Sequence, residues 1–407
     1  MFRYLLPLLL SFSCICQTID DSHELLWEIS GNGLQHNSYL FGTLHSNDKR
    51  IFNLTDSTYY AMVEANTFSL ETDIFSLFET WDTRIESVEV LYDNKGKPYI
   101  NTSDATKTQY GNEDGMPQFL DAFFQWYCYN SDKKFVPLES TEFQVNLFSE
   151  INLPEHSNFR WETLLTSKDE MVDLYLKGDI YKIDDLLKTS LSLYTRGYQG
   201  LIVDRNIGMA ERIDSLVKVK DNALFCAVGA GHLASNGGLI NLLRQKGYTM
   251  RKVTSSYSQS PTQERKTVYA KRNYLYKNDT IGIHVRFPGK PEEIVREEEK
   301  YAVKLMYREF GQGNTYDVEI YYRTEEIGLE KLAQTYIASP VESQIEKIIL
   351  DNGGEAFQGM ADSYPEGVYW VRILMNEDYF VVVKSYGGSK FMNSRRAHKF
   401  FENVWFD

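Results

Sequence analysis

Cysteine and histidine are scarce in this chain, with four and seven in 407 residues. Two of the cysteines, Cys14 and Cys16, lie in the first sixteen residues, which leaves only Cys128 and Cys226 beyond them. Two thiols build no disulfide framework. They are left as one bridge or as two buried thiols, and Cys226, inside an apolar run, is expected in the core. Positive charge is also short. Against 57 Asp and Glu stand 43 Lys and Arg, for a net charge of −14, which argues against a nucleic-acid phosphate partner. Past the N-terminus no apolar run is long enough to span a bilayer. A Walker loop, a Gly-x-Ser-x-Gly elbow, a His-Glu-x-x-His helix and paired Cys-x-x-Cys are all missing. Nucleotide-binding, serine-hydrolase and zincin readings lose their support accordingly.

What is present is ample apolar material, 43% hydrophobic and 14% aromatic. At this length two domains are the expectation. Residues 1–16 carry one positive charge ahead of a short apolar core. Cys14 and Cys16 supply small side chains just upstream of a cut before Gln17. That pattern reads as a secretory signal peptide, which makes the protein periplasmic or secreted. Lipidation of Cys14 is the weaker alternative, because Ser11 and Phe12 fit poorly upstream of it.

Two segments look like copies of one device. Tyr39-Leu40-Phe41-Gly42-Thr43-Leu44-His45 and Leu224-Phe225-Cys226-Ala227-Val228-Gly229-Ala230-Gly231-His232 are both apolar runs followed by Gly-x-x-His. A strand closed by a glycine turn presents its histidine at the sheet edge. Residues 25–32 and 38–41 suggest a β-hairpin around Gly31-Asn32-Gly33. A helix is expected from Asp56 to Ala65, then a strand Thr67–Leu70 ending at Glu71, which completes a parallel βαβ unit. Lys134–Glu139 reads as another strand ending in a carboxylate. Residues 168–219 read as mostly helical, with Asp204-Arg205-Asn206 opening a helix, and Gly247 closes the helix 238–246. Residues 76–130 take no firm assignment.

Ligands in open α/β sheets gather at the carboxyl ends of the strands. His45, His232 and Glu71 all fall at such ends. Together they suggest a two-histidine, one-carboxylate metal site in which Glu71 either ligates the metal or takes the proton of an activated water, with Glu139 as fourth ligand or general base and Arg205 as carboxylate or oxyanion holder. Other readings stand beside this one. Histidines after strands commonly cap loops, Glu71 and Glu139 could cap helices, and Arg205 could neutralise a buried acid. His23, His36, His156, His284 and His398 are given no role.

Residues 254–267, rich in Ser, Gln, Thr and Pro, read as a linker. Beyond it the strands 281–287, 316–322, 368–374 and 379–386 and the helices 326–335 and 393–403 suggest an antiparallel α+β domain. Gly353-Gly354 and Gly387-Gly388 mark turns, and Glu297-Glu298-Glu299 reads as a solvated face.

The N-terminal part resembles the TraB/GumN family, which includes the animal Tiki proteins. Leu26-Trp27 with Gly31 and Ser38–His45 match its opening. Four further stretches follow in order: Ser69–Asp73; Leu138-Glu139-Ser140 with Gln144; Tyr175–Asp179; and Asp204-Arg205-Asn206 with Met209-Ala210. Val228–Leu233 then leads through Gly238-Leu239 and Leu242-Leu243 to Gly247-Tyr248. The resemblance implies an α/β fold similar to erythromycin-esterase and ChaN-like proteins. It also implies a divalent metal (manganese, cobalt or zinc) held by His45, His232 and Glu71, and a peptidase activity on peptide or protein substrates. Relatives tied to pheromone shutdown or haem-iron binding imply the alternative, a non-enzymatic extracytoplasmic binder of peptide, haem or metal. Residues 268–407 resemble PsbP-type domains through Phe287–Pro291 and Ala397–Phe401, which implies partner binding, such as an envelope protein. The expected order is a signal peptide 1–16, an α/β domain 17–253, a linker 254–267 and a smaller α+β domain 268–407.

Overall fold

A computed structural model describes residues 17–20, 23–46, 48–74, 90–92, 98–100, 119–150, 168–192, 194, 197–270, 273–294, 301–309, 314–323, 327–337, 345–350, 352–363, 367–387 and 389–407. The signal-like segment 1–16, Gly388 and the acidic run 297–299 lie outside the described residues.

The first domain is built on six strands. β1 (Gln17–Asp20) stands apart from them, paired with a later strand. β2 (Leu26–Ser30) and β3 (Ser38–Thr43) form the expected hairpin. Gly31 and Gly33 turn it with φ of 78° and 80°, backbone values that only glycine adopts without strain. After α1 (Asp56–Glu64), capped by Thr55, comes β4 (Thr67–Leu70). β5 (Val90–Tyr92) and β6 (Pro98–Ile100) make a separate two-stranded ribbon. α2 (Leu120–Asn130) leads to β7, which spans only Lys134–Phe135. The strand expected over 134–139 is therefore shorter. Its tail still runs beside β4, with the Leu138 and Glu139 N–H groups donating to Leu70 and Glu71 carbonyls at 2.9 and 2.8 Å. α3 (Thr141–Glu150), α4 (Lys168–Leu176), α5 (Ile180–Leu191) and α6 (Arg205–Val217) precede β8 (Leu224–Gly229). α7 (Leu239–Gln245) and β9 (Thr249–Lys252) complete the sheet, whose order is β7-β4-β8-β3-β2-β9.

β4, β8 and β3 run parallel at the centre. Their residues are almost all buried on both faces, as parallel strands sandwiched by helices are. Phe225 in β8 packs against Phe41, Phe68 and Phe124, with ring centroids 6.1, 5.0 and 5.1 Å away. Burying such a ring contributes about 1.5–3 kcal/mol. This is the α/β domain expected from alternating strand and helix patterns.

Residues 254–267, expected as a linker, hold β10 (Ser255–Ser258), which pairs with β1, and most of α8 (Gln263–Val268). Tyr269, just past α8, reaches the buried Tyr59 of α1, ring centroids 6.0 Å apart. Short polar side chains suit an edge strand and a helix cap as well as they suit open chain, so composition alone misled.

The second domain has an antiparallel seven-stranded sheet, β13 (Glu292–Glu293), β14 (Tyr301–Glu309), β15 (Asn314–Tyr322), β16 (Glu346–Ile349), β17 (Glu355–Ser363), β18 (Gly367–Met375) and β19 (Tyr379–Tyr386). Its spatial order is β13-β14-β15-β19-β18-β17-β16. A three-stranded sheet of β11 (Tyr274–Asn278), β12 (Ile283–Phe287) and β20 (Val404–Phe406) accompanies it. α9 (Leu329–Tyr336) packs on one face of the large sheet. Among the described residues no helix is long and apolar enough to cross a membrane.

Candidate functional site

The register of the central strands decides which side chains meet. Gly42 pairs with Val228 and Thr43 with Gly229 on adjacent parallel strands. Leu70 pairs with Ala227 on the other side of β8. The two Gly-x-x-His segments thus end side by side, with Glu71 beside the second. Packing accounts for the first glycine of each segment. A Cβ on Gly42 would lie 2.8 Å from Leu233 Cδ1 and 3.2 Å from Ala230 Cα, so the second segment presses against the first. A Cβ on Gly229 would stand 3.2 Å from Glu71 Oε1. That bare backbone lets the Gly229 N–H donate to Glu71 Oε1 at 2.7 Å.

Glu71, Glu139, Arg205 and His232 are in direct contact. Arg205 donates from Nη2 to Glu71 Oε2 at 2.5 Å and to Glu139 Oε2 at 2.7 Å, and from Nε to both Glu139 oxygens at 3.1 Å. Gln144 Nε2 adds a bond to Glu139 Oε2 at 3.0 Å. A π-helical turn, Gln199–Asp204, feeds α6 and lets Arg205 Nη1 reach back to the Leu201 carbonyl at 3.3 Å. Such wide turns often accompany functional sites. Glu71, Arg205 and His232 are 8%, 7% and 4% exposed. Burial alone would raise the pKa of Glu71, but the charges of Arg205, His232 and His45 and the Gly229 N–H hold it far below the usual carboxylate range.

His232 sits on a one-turn 3-10 helix, Ala230–His232. Its Nδ1 lies 2.7 Å from Asn206 Oδ1, while Asn206 Nδ2 donates to the Gly237 carbonyl at 2.8 Å. The amide is oriented by the second bond, so its oxygen faces the ring and Nδ1 carries the proton. The Nε2 lone pair then points toward Arg205 Nη1 at 3.4 Å and Glu71 Oε1 at 3.7 Å. Burial lowers the pKa of His232 to about 4 despite the Glu71 charge, with Arg205 and His45 adding to the fall. Two acceptors, a neutral imidazole nitrogen and an ionised carboxylate oxygen, therefore face each other with no proton between them.

His45 stands slightly apart. Its side chain is 59% exposed, its ring lies 5.7 Å from that of Phe119, and its Nε2 lies 3.4 Å from Asp121 Oδ2. Thr43 Oγ1 donates to Asp121 Oδ1 at 3.3 Å. Desolvation works to lower the His45 pKa, but the Asp121 carboxylate, aided by Glu71, pushes it up to about 9. His45 makes no hydrogen bond to Glu71 or His232, yet it is close enough to shift both.

Asp121, Asn206 and Thr43 escape a reading by sequence. Asp121 and Phe124 and Cys128 fall at i, i+3 and i+7 on one face of α2, and all are buried. The aromatic packing of Phe124 on Phe41, 5.4 Å between centroids, seats that face on the sheet and carries Asp121 to the strand ends. The only sequence signal is that helical spacing, with an acid in the first turn. Cys128 and Cys226 are both free and buried, so of the two readings left open for them the buried thiols hold and the bridge does not. Burial pushes the Cys128 thiol up to about 12.

The donor chemistry fits a divalent transition metal: an Nε2 lone pair, an ionised carboxylate oxygen and a nearby second imidazole. Among the described residues, buried Asp121 Oδ2 has His45 Nε2 as its partner. Among the described residues, however, no three His, Cys, Asp or Glu side chains are gathered closely enough to hold an ion as they stand. Arg205 supplies the positive charge between the two glutamates.

A model of the TraB/PrgY/gumN family matches residues 25–252. The protein "Metalloprotease TIKI2" of Xenopus tropicalis is 46% identical over 59 residues, 14% of this chain and 11% of that protein, so the chain spans about a tenth of that relative's length. The solution structure of the cyanobacterial PsbP (CyanoP) from Synechocystis sp. PCC 6803 covers 34% of this chain and 94% of its own, at 9% identity and a TM-score of 0.27.

Proposed function

This chain belongs to the TraB/PrgY/gumN family, and from that membership we propose that it is a divalent-metal-dependent hydrolase acting on peptides in the periplasm or outside the cell. The observation that carries the proposal is the acceptor pair at His232 Nε2 and Glu71 Oε1, 3.7 Å apart. Export rests on the signal-like segment 1–16.

His232, Glu71 and His45 would hold the ion. When bound, a divalent ion supplies Lewis acidity and acidifies water near neutral pH. His232 offers its lone pair without losing a proton, because Asn206 fixes the other tautomeric site. His45 must first give up the proton that Asp121 stabilises, so uptake strengthens as pH rises. Glu71 suits ligation better than proton abstraction, because its depressed pKa makes it a weak base. Glu139 is engaged by Arg205 and Gln144 and steadies the guanidinium, not a water. Arg205, fixed by Glu71 and Glu139, would be the cation that meets a substrate carboxylate or a developing oxyanion.

Metal analysis of purified wild type against the His45→Ala/His232→Ala variant tests this reading. The wild type should retain a divalent ion that the variant loses, and it should cleave members of a peptide library when manganese, cobalt or zinc is added. Equal metal content in the two proteins would remove the hypothesis. The second reading, a binder without turnover, is favoured by the saturation of both glutamates by Arg205. Metal retention without any peptide cleavage would select it, and a Soret band on haem addition would make it a haem binder.

A further inference from the structure

We infer that the cavity beside the start of β3 binds a small alkylammonium ion, at a place separate from the proposed hydrolytic site and independent of it. The cavity measures about 440 Å³, within the range of small-ligand sites. Tyr39 lies near the beginning of β3 and His45 follows its other end, so the two places occupy opposite edges of the sheet. Arg251, Glu28 and Tyr39 stand in a row across β9, β2 and β3. Asp56 and Tyr60, one turn apart on α1, and Glu264, in the first turn of α8, line the cavity with them.

The charges select a cation. Carboxylates of Glu28, Asp56 and Glu264 line the cavity against the single guanidinium of Arg251. That guanidinium is committed to Glu28, donating from Nη2 to Oε2 at 2.8 Å and from Nε to Oε1 at 3.2 Å. Among the described residues Asp56 and Glu264 form no ion pair, and buried Asp56 Oδ2 has no hydrogen-bond partner. The N-terminus of α1 eases the Asp56 charge, but only with a partial charge of its own. Tyr39 is the independent sign of a ligand. It is 8% exposed, and its hydroxyl makes no hydrogen bond to any described residue. Burial, with the Glu28 charge behind it, pushes the phenol up to about 12, so it stays a neutral hydroxyl whose lone pairs can accept from an N–H donor. A buried polar group without a partner is costly and uncommon, and a ligand ammonium would supply one. An organic cation fits better than a metal ion. Among the described residues no three His, Cys, Asp or Glu side chains gather closely enough to hold an ion. The rings of Tyr39 and Tyr60, the second 48% exposed, suit an ammonium that carries an apolar body.

Calorimetric titration of the full-length protein with n-butylamine at neutral pH tests the inference. Binding should saturate with a Kd of about 1 mM or tighter. Butyrate, opposite in charge, and n-butanol, uncharged and similar in shape, should not bind. Tyr39→Phe, which removes only the hydroxyl, and Glu264→Gln, which removes one charge, should each weaken n-butylamine about fivefold. The His45→Ala/His232→Ala variant should bind it as the wild type does, whatever becomes of the metal. No binding of n-butylamine, or an equal response to n-butanol, would overturn the assignment. So would an unchanged affinity in Tyr39→Phe or Glu264→Gln, or binding lost in the double histidine variant. If Tyr39→Phe does not fold, Glu264→Gln and the two control ligands decide the matter.

Discussion

Arg205 Nη2 sits 2.5 Å from Glu71 Oε2, and both side chains are almost withdrawn from water. The same nitrogen lies 2.7 Å from Glu139 Oε2. One guanidinium therefore neutralises two buried acids that approach from neighbouring strand ends.

Removing that cation leaves two carboxylates buried without a partner. Arg205→Met should cost about 3–5 kcal/mol of stability, the range for breaking a buried ion pair from one side. Urea unfolding of wild type and variant in chelator-treated buffer measures it. Midpoints that coincide would mean that solvent or another group already compensates the two glutamates.

The acid limb of stability should carry the signature of Glu71. Its folded pKa is depressed from the ordinary 4.5. The stabilisation is therefore fully present above that value and is lost as pH falls below it. In Glu71→Gln the slope of unfolding free energy against pH, between pH values of about 5 and 2, should flatten by at most about 1.4 kcal/mol per pH unit. Parallel acid limbs in the two proteins would show that Glu71 titrates normally in the folded state.

His45 runs in the opposite direction. Its folded pKa is raised from 6.5 to about 9, so its contribution is complete below the unfolded value and disappears as pH rises through the folded one. Asp121→Asn should bring the His45 titration, followed by imidazole resonances in chelated protein, back toward 6.5. A titration that stays near 9 in that variant would assign the shift to another acid.

Much of this site is legible in the residues because strands advertise themselves. Leu224–Gly229 and Tyr39–Thr43 are apolar runs of strand length closed by glycine, and Glu71 follows a third. Once such runs are parallel, their ends share an edge, and His45, Glu71 and His232 become neighbours by topology. What escapes is whatever depends on helix docking. Asp121 reaches His45 only because aromatic side chains of α2 choose one rotation on the sheet. Asn206 matters only because α6 begins where the turn at Ala230–His232 passes. The pairing of Arg205 with both acids, in place of a ready-made three-ligand cluster, likewise depends on side-chain reach that periodicity does not encode. In the stretch 254–267, polar composition stood for open chain, while a cap at Thr262 and a partner strand in β1 make it structured.

The guanidinium stationed between two acids has a bearing on how this polypeptide matures. A zinc finger stays unravelled until its ion arrives, because nothing else can reconcile its ligands. Here an internal cation performs that reconciliation, so a newly made chain can become compact first and load any ion later. Under the proposed function, a chelator would remove the ion and leave an intact shell, ready to be refilled.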